Sequence, residues 1–473
     1  MLCFLARTTG RRAPRRGDTA NLVCMDDLPW RRLFGLVGAL VLTGVTGCGG
    51  RTGLGIYVQE EDPSVCEQPI AGGFSRRFGG EQWEQALSVA VRPCGNIVVT
   101  GAHRGKLDFG QGELESDTDG IFLVTLDPAG EALWSRTFPL AMPELAELRS
   151  THVALGDQGQ SFLMANFSGS VDFGGGMVHT GSGLASGVAY ARFDEHGNHL
   201  ESRAIVDACD GGDTIEADHA SLLPDASAIL TLSAWGKPVL GGVTLEGECG
   251  EQRQHLARLA PGGDLAWSTE IAYFHAADTD DSGTTYTGGN WQTSSLVDKY
   301  GPDGHPLSLP HVYSPGAVAV AAIEGGGAIV LEGSNGALGE GGRIIRMSSE
   351  GLVLWKRSLP ADIGRGLIGA DAAGNAYLAT TTSSAVDLGT GVLEGGSFDI
   401  VVAKFSGANG ETISAMRSHR EPKDDTLGYV LGMAVSSAGE VILAGGFNGL
   451  LDLGHGPLVS AGENDIFVAK LEL

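Results

Sequence analysis

The end of the chain, GEVILAGGFNGLLDLGHGPLVSAGENDIFVAKLEL (residues 439–473), aligns with an earlier stretch, GNIVVTGAHRGKLDFGQGELESDTDGIFLVTLDPAGEALW (residues 95–134). Both contain a Gly-led apolar run, an Asp-apolar-Gly step, a polar turn and a second apolar run. Similarity of one part of a chain to another in this way indicates a repeat architecture.

The same order of features recurs elsewhere in the chain. Two further clear copies are GQSFLMANFSGSVDFGGG with GVAYARFDEHGNHL (residues 159–176 and 187–200) and GNAYLATTTSSAVDLGTG with DIVVAKFSGANGE (residues 374–391 and 399–411). Three weaker copies are ASAILTLSAWGKPVLGG with QHLARLAPGGDLAW, SGTTYTGGN with SSLVDKYGPDGH, and GGAIVLEGSNG with RIIRMSSEGLVLW, between residues 226 and 355. The chain therefore contains seven units, of which the third to fifth diverge.

Each unit contains four short apolar runs bounded by Gly, Asn and Asp, which is the pattern of strands and turns. In IFVAKLEL, Phe467 and Ala469 alternate with Val468 and Lys470, and this period of two predicts a sheet with unequal faces. No helical periodicity follows the first 70 residues. Four antiparallel strands in each repeat predict an all-β fold, a β-propeller of seven four-stranded blades spanning residues 70–473. Six or eight blades, or a split into two domains near the weaker units, are the alternatives.

The last unit ends at its third strand, at Leu473, whereas GGFSRRFGG (residues 72–80) stands alone before the first unit. This segment resembles LWSRTFP (residues 133–139), the fourth strand of the first unit. We therefore expect an N-terminal strand to complete the last blade and to remove an open sheet edge.

These motifs resemble the bacterial SBBP-type β-propeller repeat, which has a GN-x-apolar-TG step, a DFG-like step and a D-x-FVAKLD-x-G-x-x-W ending. The residues that match are Gly95, Asn96, Thr100, Gly101, Asp108, Phe109, Gly110 and Trp134 in the first unit, and Asp387, Gly389, Asp399 and Lys404 in the sixth. The resemblance implies a propeller fold and no particular reaction.

The N-terminus begins with a basic stretch that ends at Arg31 and Arg32, and an apolar run follows from Leu33 to Gly47. That run is shorter than the ~20 residues that a membrane-spanning helix needs. Its end, Val45 to Cys48, resembles the lipobox of bacterial lipoproteins, which implies removal of residues 1–47 as a signal peptide and attachment of lipid (palmitate among the acyl chains) to Cys48. An uncleaved anchor helix is the alternative, and residues 1–24 are consistent with a mis-assigned start.

Residues 48–69 are Gly-rich and acidic, which predicts a flexible tether. Removal of residues 1–47, which contain seven Arg and three Asp, would change the formal net charge from −26 to −30. So acidic a protein is a poor partner for nucleic acid. We expect a monomer, anchored by lipid in the cell envelope at the outer membrane. The periplasmic face and the exterior face of that membrane are the two alternatives.

The exported part would keep the cysteines Cys66, Cys94, Cys209 and Cys249 in an oxidising compartment, and an even number is consistent with two disulfide bonds. Of the three connectivities, we favour Cys66 with Cys94 and Cys209 with Cys249. A zinc site is the alternative, but the CxxC spacing typical of such sites does not occur.

Two sets of acidic residues are candidate metal ligands. Asp108, Asp172, Asp387 and Asp452 recur just before an apolar-Gly step, where an Asp most often accepts hydrogen bonds from its own turn. The stretch from Asp278 to Gly283 resembles the start of a calcium loop, but position 12 is Gly289 instead of a bidentate Glu. We therefore predict turn chemistry and no metal or other cofactor.

Tryptophans fall into two groups. Trp134, Trp267 and Trp355 recur at one position of the repeat, which predicts packing between blades. Trp83, Trp235 and Trp291 lie outside that pattern, and Trp235 and Trp291 fall in divergent units. We predict that these two contact a ligand, because exposed aromatic side chains are suited to bind sugars or proteins. Burial as core residues is the alternative.

The sequence contains none of the GxSxG, HExxH, GxxxxGK[ST] or strand-to-helix GxGxxG motifs that mark common reactions. The function predicted is therefore a non-enzymatic envelope lipoprotein whose propeller binds a protein or glycan partner through units three to five. Two alternatives remain at this point: a propeller-type glycan hydrolase or lyase with acids around the channel, and a calcium-stabilised adhesin.

Overall fold

The computed structural model describes residues 72–473 except for 93–94, 142–147, 182–185, 210–212, 273, 275, 292–293, 308–316, 334–340, 362, 364–365, 397 and 422–428. Of the first 71 residues it describes two strand pairs, Cys3–Leu5 with Leu22–Cys24 and Val41–Val45 with Gly53–Tyr57. The chain divides into two compact units, Met1–Val65 and Cys66–Leu473. In these described parts, no helix has the length and apolar character needed to cross a membrane.

Residues 72–473, as far as they are described, form seven antiparallel four-stranded units, here called blades 1 to 7. Strands are given from the innermost to the outermost of each blade. Blade 1 is Glu84–Val91, Ile97–Asp108, Glu113–Leu126 and Ala132–Pro139; blade 2 is Ser150–Leu155, Ser161–Phe167, Gly187–Phe193 and His199–Asp207; blade 3 is Ile215–Leu222, Ala228–Ala234, Arg253–Leu259 and Leu265–Ile271; blade 4 is Ala276–Thr279, Thr285–Trp291, Ser294–Tyr300 and Pro306–Leu307. Blade 5 is Ala317–Ala322, Ala328–Glu332, Arg343–Met347 and Val353–Ser358; blade 6 is Leu367–Ala370, Ala376–Thr382, Asp399–Phe405 and Thr412–Arg417; blade 7 is Tyr429–Val435, Val441–Phe447, Asp465–Leu471 and Phe74–Phe78.

Short hairpins connect the second and third strands of several blades. They are Ser170–Asp172 with Met177–His179, Pro238–Leu240 with Val243–Thr244, Val386–Asp387 with Val392–Leu393, and Leu450–Asp452 with Pro457–Val459. The hairpin of blade 3 pairs with the outermost strand of blade 2, and His419–Glu421, after blade 6, pairs with the hairpin of blade 7. Such hairpins therefore join a blade to the one before it.

The N-terminal strand Phe74–Phe78 completes blade 7, as the sequence predicted. It pairs antiparallel with Asp465–Leu471, with Phe74 opposite Lys470 and Phe78 opposite Ile466. Phe74 takes the place that Trp134 has in blade 1, and its ring lies against Gly130 of the next blade. The two ends of the propeller are thus held in one sheet.

The hydrophobic core lies between the blades. Among the described residues, seven clusters of buried side chains each combine two neighbouring blades, and one of them joins blade 7 to blade 1. Successive side chains of a strand point to opposite faces, so Val98 packs towards blade 2 and Val99 towards blade 7. The clusters therefore close a ring of seven blades, and the fold is an all-β propeller.

The expectation of unequal sheet faces in IFVAKLEL was wrong. All residues from Asp465 to Leu471 are buried, because Phe467 and Ala469 pack towards blade 6 whereas Ile466 and Val468 pack towards blade 1. Even Lys470 is only 2% exposed, with its Nζ 3.3 Å from Glu440 Oε1. The period of two marks two different neighbouring blades here, not an inner and a solvated face.

The recurring Asp residues cap their own turns, as predicted. Asp108 Oδ1 accepts hydrogen bonds from the N–H groups of Gly110 and Gly112, at 2.7 and 3.2 Å. Asp172 and Asp387 accept the same pair of turn N–H groups, and Asp452 Oδ1 accepts the first of them, from Gly454, at 2.8 Å. A carboxylate used in this way satisfies turn N–H groups that would otherwise lack partners.

The recurring tryptophans pack between blades, which confirms the prediction made from their shared position in the repeat. The indole N–H of Trp134 donates to the Glu195 carbonyl of blade 2 at 2.9 Å, and its ring covers Gly197. Trp267 and Trp355 make the same contact with the next blade. Gly197 has φ 76°, and a Cβ there would lie 2.7 Å from the Trp134 ring, so this turn requires glycine.

Candidate functional site

The propeller has two faces with different connections. Since consecutive strands of a blade are antiparallel, the turns after the first and third strands lie on one face, here called the turn face. The loops after the second strand and those leading to the next blade lie on the opposite face, here called the hairpin face. Turn-face connections are tight, as in the bond from Gly130 N–H to the Asp127 carbonyl.

Trp235 lies on the hairpin face, directly after the second strand of blade 3. Its side chain is 47% exposed, so the ligand-contact prediction has an accessible aromatic surface and the core alternative is excluded for this residue. Its backbone N–H donates to the Thr214 carbonyl at 2.9 Å, and its carbonyl accepts from Gly250 N–H at 3.1 Å. The indole therefore projects from backbone that is held on both sides.

A disulfide bond joins Cys209 and Cys249 beside Trp235, as predicted. Carboxylates hold the same loop: Asp207 Oδ1 accepts from Lys237 N–H at 2.8 Å, and Asp213 Oδ2 accepts from Gly250 N–H at 3.0 Å. The disulfide and these bonds attach the loop around Trp235 to the segment that leaves blade 2. We refer to this part of the hairpin face, residues 207–209, 213–214 and 235–250, as the Trp235 platform.

The structure gives a position for only some of the other predicted site residues. Trp291 ends the second strand of blade 4, on the hairpin face by the same topology, but its side chain lies outside the described residues. Cys48, Cys66 and Cys94 also lie outside them, so the lipidation site and the second disulfide stay predictions.

Seven innermost strands surround a central channel with a cavity volume of about 560 Å³. Blades 2 to 4 contribute a polar sector that contains His152, Asp218, His219 and Asp278, whereas blades 5 to 7 contribute mainly Val, Leu, Ile and Met side chains. The channel is therefore asymmetric, with its polar part contributed by blade 2 and by the divergent blades 3 and 4.

Titratable groups meet in this polar sector. His219 Nε2 lies 2.8 Å from Ser221 Oγ and 3.9 Å from Asp278 Oδ1. Burial lowers the pKa of His152 to about 4 and, with His152 nearby, that of His219 to about 3. Burial raises the pKa of Asp278 to about 6, although its carboxylate accepts the N–H groups of Ala322 and Thr279. Both histidines are thus neutral at pH 7.

Acidification is expected to destabilise the propeller through these histidines. In the unfolded chain they would bind protons below about pH 6.5, but the folded channel keeps them neutral to about pH 4, so stability falls across that interval. Asp278 acts oppositely, because stability from its protonated form is lost as pH rises through about 6. The stability lost through the two histidines is larger than the stability gained through one carboxyl group, so the net effect of acidification is destabilising.

The measurement is urea unfolding at pH 7 and pH 4. The double variant His152→Gln, His219→Gln is expected to lose on the order of 5 kcal/mol less than the native chain between these pH values, since each histidine contributes about two pKa units at about 1.4 kcal/mol per unit. His196→Gln, which replaces an exposed histidine, is the matched control. This variant is expected to lose as much stability between pH 7 and pH 4 as the native chain does. Equal losses in the double variant and the native chain would contradict the assignment.

The stretch that resembles a calcium loop is divided between two environments. Asp278 lies in the channel, whereas Asp280 Oδ1 accepts the N–H groups of Ser282 and Thr284, both at 3.0 Å, in a turn. Within the described part of the chain, the one group of potential ligands close enough to share an ion is Cys209, Asp213 and Cys249. Its two sulfurs are joined in the disulfide, so this group does not offer a thiolate site.

Sequence reasoning missed a second aromatic site and a set of arginines. Trp83, 37% exposed, lies on the hairpin face at the junction of blades 7 and 1. The arginines lie two residues after the Trp position of the outer strand and donate to turn carbonyl groups of the next blade; they are Arg76, Arg136, Arg203 and Arg357. The recurring letters FSR, WSR, ESR and WKR were the signal that could have identified them.

No protein-family model and no curated protein matches the chain. Several solved structures match the chain at low similarity. A protein of unknown function from Bacteroides caccae is 12% identical with a TM-score of 0.36, and the match covers 72% of this chain and 94% of that one. The Dos1 propeller is 9% identical with a TM-score of 0.41, covering 84% and 95%. Pyrococcus horikoshii acylaminoacyl peptidase is 8% identical with a TM-score of 0.45, covering 80% and 52%.

Proposed function

We propose that this protein is an envelope lipoprotein of the SBBP-type repeat class, attached to the outer membrane by lipid on Cys48, whose propeller binds a protein or glycan partner without catalysing a reaction. The observation that carries the binding role is the Trp235 platform. An indole that is 47% exposed lies in a loop held by a disulfide and by hydrogen bonds from the N–H groups of Trp235, Lys237 and Gly250. A large aromatic surface that is already ordered loses little conformational entropy on binding.

The position of the closing strand supports this proposal. Phe74 pairs with Lys470 near the end of the third strand of blade 7, and Gly72 N–H donates to Glu472 Oε1 at 3.0 Å. The chain therefore enters the propeller at the turn face. A lipid anchor upstream of this point leaves the hairpin face, with Trp235, on the side opposite to the point of attachment.

The experiment is cross-linked affinity capture of the tagged full-length protein from detergent-solubilised native envelopes. A Trp235→Ala variant is expected to recover at least about fivefold less partner than the native protein, because aromatic contacts dominate binding surfaces. A Leu352→Ala variant is the matched control, since Leu352 is 54% exposed but lies in a turn-face connection. Equal recovery of the partner by the native and Trp235→Ala proteins would contradict the proposed contact surface.

A glycan hydrolase or lyase is the second candidate, and the channel is the observation that favours it. Asp218 and Asp278 both line the cavity, and a carboxyl group with a raised pKa beside a histidine is suited to general acid catalysis. Release of reducing ends from envelope glycans that is lost in an Asp278→Asn variant would favour this function. The adhesin alternative is weakened, because the recurring Asp carboxylates accept hydrogen bonds from their own turns.

A further inference from the structure

The junction of blades 7 and 1 contains a cavity of about 520 Å³ on the hairpin face. Its walls are the side chains of Gln82, Trp83, Arg104, Asp119 and Glu463. The volume lies within the range of small-molecule sites, which is about 300–1,000 Å³. The exposed indole of Trp83 is the one aromatic surface in this wall, and the other four side chains are an amide, a guanidinium and two carboxylates.

The backbone that presents Trp83 is fixed by both blades. Arg104 N–H donates to the Trp83 carbonyl at 3.1 Å, and Trp83 pairs with Asn464 in a parallel bridge. Asn464 Nδ2 donates to the Glu84 carbonyl at 2.8 Å, and its own carbonyl accepts from Glu84 N–H at 2.9 Å. The indole is therefore exposed because of where the backbone holds it and not because of a loosely attached loop.

The polar groups of the cavity are also ordered. Arg104 Nε donates to Asp119 Oδ1 at 2.9 Å, which holds the guanidinium across the wall. The Gln82 amide packs over Gly105, where a Cβ would lie 2.7 Å from Gln82 Nε2. Amide, guanidinium and carboxylate groups each offer paired donors or acceptors in one plane. Such pairs match the vicinal hydroxyl groups of a pyranose ring, while an indole face packs against the C–H groups of the same ring.

The charge of the cavity excludes acidic ligands. Its single guanidinium is paired with Asp119, and Glu463 adds a second carboxylate. An anionic sugar would therefore be repelled.

We propose that the cavity at the junction of blades 7 and 1 binds a neutral pyranose-based glycan, with Trp83 as the stacking surface and Gln82, Arg104 and Asp119 as its hydrogen-bonding groups. This inference deepens the proposed binding role by naming a ligand class, and it concerns a part of the hairpin face separate from the Trp235 platform. A glycan bound here would lie on the face away from the point at which the chain enters the propeller.

The test is isothermal titration calorimetry of the full-length protein in detergent against neutral hexasaccharides of glucose, mannose and N-acetylglucosamine, with hexagalacturonate as the charged comparison. At least one neutral sugar is expected to bind with a dissociation constant between about 10 μM and 1 mM. Trp83→Ala is expected to weaken that binding by about tenfold or more, and Trp83→Tyr by less than about threefold. Absence of binding by every neutral sugar, or preference for hexagalacturonate, would overturn the proposal.

Two further variants keep this result interpretable. Gln82→Ala removes only an exposed amide and is expected to weaken sugar binding about threefold without affecting folding. Unchanged sugar affinity in both Trp83→Ala and Gln82→Ala would also overturn the site. Leu352→Ala, in a turn-face connection, is expected to bind the sugar as the native protein does. Partner capture is measured with Trp235→Ala and sugar binding with Trp83→Ala, so the two proposals are tested separately.

Discussion

Deletion of residues 72–79 from the full-length chain is expected to abolish cooperative folding of the propeller. The strand Phe74–Phe78 covers the edge of Asp465–Leu471, in which every residue is buried. Without it, blade 7 ends in an unpaired edge, and the core between blades 7 and 1 loses Phe78 from its contact with Phe109. An exposed apolar edge promotes pairing with other chains. Size-exclusion chromatography should therefore show aggregates, and urea unfolding should lose its single transition.

Single substitutions test the same closure without removing the strand. Phe78→Ala is expected to lower the free energy of unfolding by about 3–5 kcal/mol, since it removes a buried ring from a packed core. Val459→Ala is the matched control on the hairpin of blade 7, where the side chain is 61% exposed, and is expected to change stability by less than about 0.5 kcal/mol. A deletion variant that is monomeric and unfolds at the same urea concentration as the native chain would show that closure does not depend on this strand.

Substitution of Cys48 by serine is expected to eliminate lipid attachment completely. The thiol is the group that the lipobox resemblance assigns to acylation, and a hydroxyl does not form the thioether. Two acyl chains provide stable membrane attachment, whereas a single chain binds only marginally. Labelling of cells with radioactive palmitate should therefore mark the native protein and leave the Cys48→Ser variant unlabelled.

Mass spectrometry of the same proteins provides a second measurement. The native protein is expected to begin at an acylated Cys48 and to lack residues 1–47. Cys24→Ser is the matched control, because it changes the same type of residue in the part predicted to be removed, and it should leave both label and mass unchanged. Palmitate incorporation that persists in Cys48→Ser would show that the lipobox assignment is wrong.

Local sequence patterns were sufficient for the strands, the turns and the repeat. Apolar runs between Gly and Asp predicted the blades, since alternation of side chains and turn chemistry depend on residues close together in the chain. The same kind of evidence predicted that Asp108 and its equivalents would cap turns and that Trp134, Trp267 and Trp355 would pack between blades. Similarity between residues 72–80 and 133–139 predicted the closing strand, because the ends of a repeat fold must complete each other's missing part.

Tertiary structure decided which residues from distant parts of the chain meet. The channel brings His152, His219 and Asp278 together from three blades, and no spacing along the chain indicates that contact. The cavity beside Trp83 forms only because ring closure places Glu463 next to Gln82 and Arg104. Alternation in IFVAKLEL was visible in the sequence, but its meaning was not, since a strand between two blades buries both faces whereas a surface strand buries one. Local pattern thus determined the blades of this protein, and their closure into a ring determined its candidate sites.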